Sequence, residues 1–120
     1  MRLIDAIEVF SKTDFQADKD YSIYPPSIYE CPICKNELSF NMQNFEKYSL
    51  NTNSAFSIEE QESIKKLIKF SKRQEPNSFI DYYCPECHTP TRIYFIAWAG
   101  GRYTNGYHLD FVVIDDRVSN

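Results

Sequence analysis

Cys31-Pro32-Ile33-Cys34 and Cys84-Pro85-Glu86-Cys87 decide how this chain is read, and together they use every cysteine it has. Two residues between paired thiols let both sulfurs of one short loop converge on a single ion. Two such loops supply the four thiolates of a closed tetrahedral site. Cys31, Cys34, Cys84 and Cys87 are therefore read as the ligands of one structural Zn²⁺, with no coordination position left open for chemistry. Iron fits the same four sulfurs by ligand type, as in rubredoxins. A disulfide reading needs an oxidising compartment, whereas the chain opens Met1-Arg2-Leu3-Ile4-Asp5 without the apolar core of a secretion signal. A thioredoxin-like redox pair needs one such motif inside a βαβ unit, and here there are two motifs and no such unit.

The two motifs resemble the knuckles of the zinc-ribbon fold group, in which two CPxC turns at hairpin tips grip one zinc. The resemblance covers the knuckles and the strands leaving them, and it implies a small antiparallel sheet crowned by the metal. Many members carry Gly after the second Cys, where the backbone turns left-handed. Here Lys35-Asn36 and His88-Thr89 take those places, and Asn and His tolerate that region better than most residues. The gap of 49 residues between Cys34 and Cys84 exceeds the roughly 15–20 usual between zinc half-sites. An insertion is expected there.

Composition sets the outer limits. A chain of 120 residues with 42% hydrophobic and 16% aromatic content is long enough for one modest core, and a metal staple would help it. It divides into an N-terminal helix and connector (1–30), knuckles with a helical insertion (31–90) and a C-terminal hairpin (91–117). No run of 18 apolar residues marks a membrane span, and the cysteine usage points to a cytoplasmic protein. Ionising four thiols and adding one Zn²⁺ takes the formal charge from −4 to −6. Phosphate backbones repel such a protein at long range unless its cations are segregated.

In chain order, Leu3, Ile7 and Phe10 recur at helical spacing and predict a short helix over residues 3–10. The connector to residue 30 ends at Pro25-Pro26, with Tyr21, Ile23, Tyr24, Ile28 and Tyr29 expected to lie along the domain. Glu37-Leu38-Ser39-Phe40-Asn41-Met42 alternates and predicts a strand with Leu38, Phe40 and Met42 inward. Residues 43–56 are polar, with Phe45, Tyr48, Leu50 and Phe56 as anchors. Ser57-Ile58-Glu59-Glu60 is a capping box opening a helix over about 58–73, with Ile64, Leu67 and Ile68 as its apolar stripe and Pro76 as its stop. Residues 78–83, 92–99 and 107–115 read as strands, and Asn105-Gly106 reads as a type I′ hairpin turn, the alternative being one loop over residues 100–106. The fold class is α+β: a small antiparallel sheet with the Cys₄ site, the inserted helix and the N-terminal helix.

The function follows less directly. The histidines, His88 and His108, are the candidate bases. His88 follows a ligand and is expected to hydrogen-bond within its turn, and His108 with Asp110 reads as a solvated strand face. No phosphate loop, dinucleotide fingerprint or nucleophile elbow is present, so no enzyme is expected. Lys65, Lys66, Lys69, Lys72 and Arg73, five of thirteen basic residues, form an alternative nucleic-acid patch on the inserted helix. Helix C-termini favour cations anyway, so the helix is expected to be a scaffold. Nine Tyr and one Trp suit protein binding better. The expected partner is a basic protein, met by Tyr94, Tyr103, Tyr107, Asp110 and Asp115 of the C-terminal hairpin. The sharpest form is an immunity or antitoxin protein occluding a basic toxin such as a nuclease; the alternative is a nucleic-acid-associated transcription or translation accessory protein.

Overall fold

The computed structural model describes residues 1–16, 26–48, 54–76, 78–99 and 105–116. Among them the chain forms β1 (Arg2–Asp5), α1 (Ala6–Val9), β2 (Asp14–Gln16), β3 (Ser27–Glu30), β4 (Glu37–Phe40), α2 (Met42–Tyr48), α3 (Ile58–Phe70), β5 (Ser78–Tyr83), β6 (Pro90–Ala99) and β7 (Asn105–Ile114). Every strand pairing is antiparallel. The larger sheet runs β1-β7-β6-β5, with β2 pairing further along β7, and β3–β4 form a second sheet. The α+β class expected from the sequence is the class observed.

β7 is the centre of this architecture because both of its faces are covered. Val112 and Ile114 face one core with Ile93, Phe95, Phe45 and Tyr29. Phe111 and Val113 face the other, where α3 lays Ile64 and Ile68 against Tyr94. A strand buried on both sides reads as a continuous apolar run, which is the sequence Phe-Val-Val-Ile over residues 111–114.

The N-terminal helix is shorter than its spacing predicts. Leu3 pairs with Val113 and Ile4 with Val112, and the two side chains alternate between the two cores. Helix is confined to Ala6–Val9, and Ile7 is 78% exposed, so no apolar stripe forms. Ladder hydrogen bonds to β7 outweigh a local pattern of three residues. The strand predicted to Met42 stops at Phe40, and Met42 starts α2, burying itself and Phe45. Phe56 is also buried, while Leu50 lies outside the described residues.

The capping box is present in full: Ser57 Oγ accepts from Glu60 N–H and Glu60 Oε1 accepts from Ser57 N–H. α3 ends at Phe70 rather than at 73. Lys72 takes φ 58°, with Lys72 N–H donating to Lys69 O and Arg73 N–H to Ile68 O. That is a Schellman ending, reached before Pro76.

Asn105-Gly106 is not a turn. Both residues lie inside β7, paired with Ala99 and Trp98, and the connection falls on residues 100–104, outside the described residues, as do Gly100-Gly101. Glycine is needed at 106 for another reason: a Cβ there would collide with Phe15 O and the Trp98 ring. The ladder slips once, between Tyr94 and Phe95, where Tyr94 pairs with Phe111 and Phe95 with Leu109. Asp110 is the extra residue of that bulge.

Candidate metal centre

Each CPxC loop turns in the same way. Lys35 N–H donates to Cys31 O at 2.9 Å and His88 N–H to Cys84 O at 2.8 Å. Cys31 and Cys84 N–H close the loops onto Asn36 O and Thr89 O. Lys35 and His88 sit at φ 66° and 61°, so the residue after each second cysteine takes the left-handed conformation without glycine. The first loop tips the β3–β4 hairpin and the second tips β5–β6. Facing tips bring the four sulfurs together.

The four sulfurs lie within 4.8 Å of one another, with Cys31–Cys87 at 3.8 Å and Cys34–Cys84 at 3.6 Å. A tetrahedron with Zn–S bonds of about 2.3 Å has S–S edges of about 3.8 Å, whereas a disulfide would need about 2.05 Å. The cluster therefore has the size of one four-coordinate ion, and its two close cross-pairs each join one knuckle to the other. A metal held there would bond the two sheets to each other.

The surroundings differentiate the thiols. Burial pushes the Cys31 thiol up to about 12. Burial also acts against the Cys87 thiolate, but hydrogen bonds to the Thr89 hydroxyl (3.0 Å) and backbone, together with Cys84 and Cys34, bring it down to about 7. Tyr29 and Tyr82 stand two residues before the first cysteine of each knuckle and pack edge to face at 6.4 Å. Burial raises both phenols, with the neighbouring Cys31 thiol adding to the effect.

A second polar cluster escaped the sequence reading. Arg92 and Asp81 face each other across β5–β6, their side chains 3% and 0% exposed. Arg92 Nε and Nη2 donate to the two Asp81 oxygens at 2.7 and 2.9 Å, and the guanidinium stacks 3.9 Å above Phe79. Asp81 also accepts from Ser54 Oγ and Ala55 N–H, and Arg92 reaches Gln61 of α3. The pair clamps the insertion to the knuckle hairpin. Equal steps outward from Cys84 and Thr89 reach Asp81 and Arg92, so the hairpin register held the signal.

The hairpin residues expected to meet a partner are placed differently. Tyr94, Tyr107 and Asp115 are buried. Tyr94 hydroxyl donates to Glu75 at 2.9 Å and accepts from Arg92; burial, against the pull of Arg92, pushes it up to about 12. Tyr103 lies outside the described residues. Asp110 keeps some exposure and sits 3.7 Å from Arg73. His108 pairs at 2.7 Å with Asp14, which stands directly opposite it on β2, and Asp110 turns to Arg73 instead. Of the basic patch, Lys65, Lys66, Lys69 and Lys72 are exposed. Arg73 is drawn inward to Asp5 and Asp110, over the Phe111 ring.

Comparisons with protein-family models, with curated proteins and with solved structures found no match for the chain. Among the described residues, no helix is long and apolar enough to cross a membrane. The arrangement is a four-cysteine cluster on a small α+β domain, compatible with one bound metal ion.

Proposed function

We propose that this protein is a non-catalytic, zinc-stabilised binding module whose partner is a basic protein. Its form is that of a cytosolic immunity or antitoxin protein occluding a cationic toxin domain such as a nuclease. The observation that carries the proposal is the closure of the sulfur cluster. All four cysteines of the chain are drawn into one cluster, their sulfurs within 4.8 Å of one another; a zinc held by all four would spend the best nucleophiles on structure and leave no ligand position for substrate. The zinc-loaded charge of −6 then favours a cationic partner and speeds its approach.

The test is affinity capture on tagged, zinc-loaded protein, followed by association kinetics against the recovered, identified protein. A basic partner whose association slows as salt rises supports the reading. Recovery of nucleic acid alone, or of no partner, overturns it.

One observation favours a second reading, a nucleic-acid-associated accessory protein. Lys65, Lys66, Lys69 and Lys72 are exposed around the C-terminal half of α3, and Phe70 beside them is exposed as well. Loss of oligonucleotide binding in Lys65→Glu/Lys69→Glu, with stability unchanged, would select it.

A further inference from the structure

β5 stops short. Its first residue, Ser78, pairs with Phe95, yet β6 runs on to Ala99, held by β7 on one side only. Among the described residues no strand pairs with the other edge of residues 96–99. An open edge presents a row of unpaired backbone donors and acceptors, and proteins usually blunt one with a charge, a proline or a bulge. This stretch reads Ile-Ala-Trp-Ala and carries none of these. All four residues are exposed, with Ile96 at 46% and Trp98 at 37%.

The setting is chemically one-sided. Ile96 borders a cavity of about 360 Å³ shared with Arg73, Glu75 and Asp110. It also borders a second of about 180 Å³, beside Ser78, where the β5 lane ends. Its cross-strand partner His108 is joined to Asp14. The rim of the edge thus holds the carboxylates of Glu75 and Asp110 against one guanidinium, Arg73, which Asp5 and Asp110 already engage, while Asp14 lies on β2, across β7 from this edge. Apolar anchors stand at the centre with acidic groups around them.

Resting on the reading of a basic protein partner, we propose that the partner docks here by adding a strand to β6. Its backbone pairs with residues 96–99, its apolar side chains meet Ile96 and Trp98, and its Lys or Arg side chains meet Glu75 and Asp110. Strand addition takes affinity from main-chain hydrogen bonds and specificity from alternate side chains. The same hairpin expected from the sequence is used, through its exposed residues in place of its buried tyrosines.

Trp98 is the only tryptophan in the chain, so its fluorescence reports on this edge directly. The probe is a lysine–valine alternating octapeptide, titrated into the zinc-loaded protein beside a glutamate–valine control, with amide hydrogen exchange followed at residues 96–99. The expected result is a Trp98 emission shift and slowed exchange with the lysine peptide alone. Ile96→Lys alters a half-exposed side chain, keeps the fold, and should weaken that binding at least tenfold. No response to the lysine peptide, equal response to both peptides, or unchanged binding by Ile96→Lys overturns the proposal. The protein recovered in the capture experiment separates the two levels. If it binds wild type and Ile96→Lys alike, strand addition at β6 falls while the basic-partner reading stands; if no basic protein binds wild type, the reading itself falls.

Discussion

Replacing Asp81 with Asn tests whether the ion pair with Arg92 is what locks the insertion onto the sheet. The substitution keeps the volume and removes the charge, leaving Arg92 buried at 3% exposure. Removing one partner from a buried, hydrogen-bonded pair costs about 3–5 kcal/mol, chiefly because the surviving charge stays out of water. Here the loss should fall at the lower end. Arg92 retains Ser54, Gln61 and Tyr94 at 3.2–3.4 Å and its stack on Phe79. A domain of this size loses about 4 °C of melting temperature per kcal/mol, so a loss of about 3 kcal/mol lowers Tm by about 12 °C. Thermal and urea unfolding of the zinc-loaded protein, followed by circular dichroism and Trp98 fluorescence, measures it. Asp81→Leu/Arg92→Met, which replaces both charges with apolar groups, should recover most of the loss. A single variant within 1 kcal/mol of wild type, or a double variant no better than the single, would refute the reasoning; Ile64 and Ile68 would then hold the insertion by themselves.

Three further outcomes are expected. Elemental analysis should give one zinc per chain, and Cys31→Ser, Cys34→Ser, Cys84→Ser or Cys87→Ser should each unfold the protein, since a structural zinc contributes on the order of 10 kcal/mol to folding; a metal-free, cooperatively folded monomer would contradict this. Ser57→Ala removes the cap on Glu60 N–H and should cost roughly 1 kcal/mol by urea titration, with partner binding unchanged. Burial holds the phenols of Tyr29, Tyr82 and Tyr94 above their ordinary 10.0, so above pH 10 the folded chain binds more protons than the unfolded one. Their contribution is fully present below pH 10 and drains away as pH climbs toward 12. Tm measured across that window should fall, and the part of the tyrosinate absorbance that belongs to these three of the nine tyrosines should appear only on unfolding; full tyrosinate absorbance reached in the folded protein near pH 10 would remove the basis.

The parts legible in the sequence were those whose geometry is local. Two residues between cysteines fix a sulfur pair, and Ser57 with Glu60 fixes a helix start, whatever the rest of the chain does. The N-terminal helix misled because the partner of Leu3 is Val113, at the far end of the chain, and no window around Leu3 contains it. Asn105-Gly106 misled because glycine has two uses, and here it makes room for Trp98 and Phe15 rather than for a turn. The tyrosines misled because composition reports how many aromatic rings there are, and not which face of a strand they take. Tyr94 and Tyr107 pointed to a partner by residue type and went to the interior by register.

β7 follows every other described strand in the sequence and is the one to which β1, β2 and β6 all attach. On the ribosome, β1 and β2 must wait until β7 emerges before they can close the sheet. The four sulfurs are complete at Cys87, well before β7 has been made. A nascent chain can therefore gather its halves around the ion first and receive the central strand into a frame already tied. A message truncated within β7 would leave β1, β2 and one edge of β6 without a partner at once, which is the condition that invites strand-to-strand aggregation.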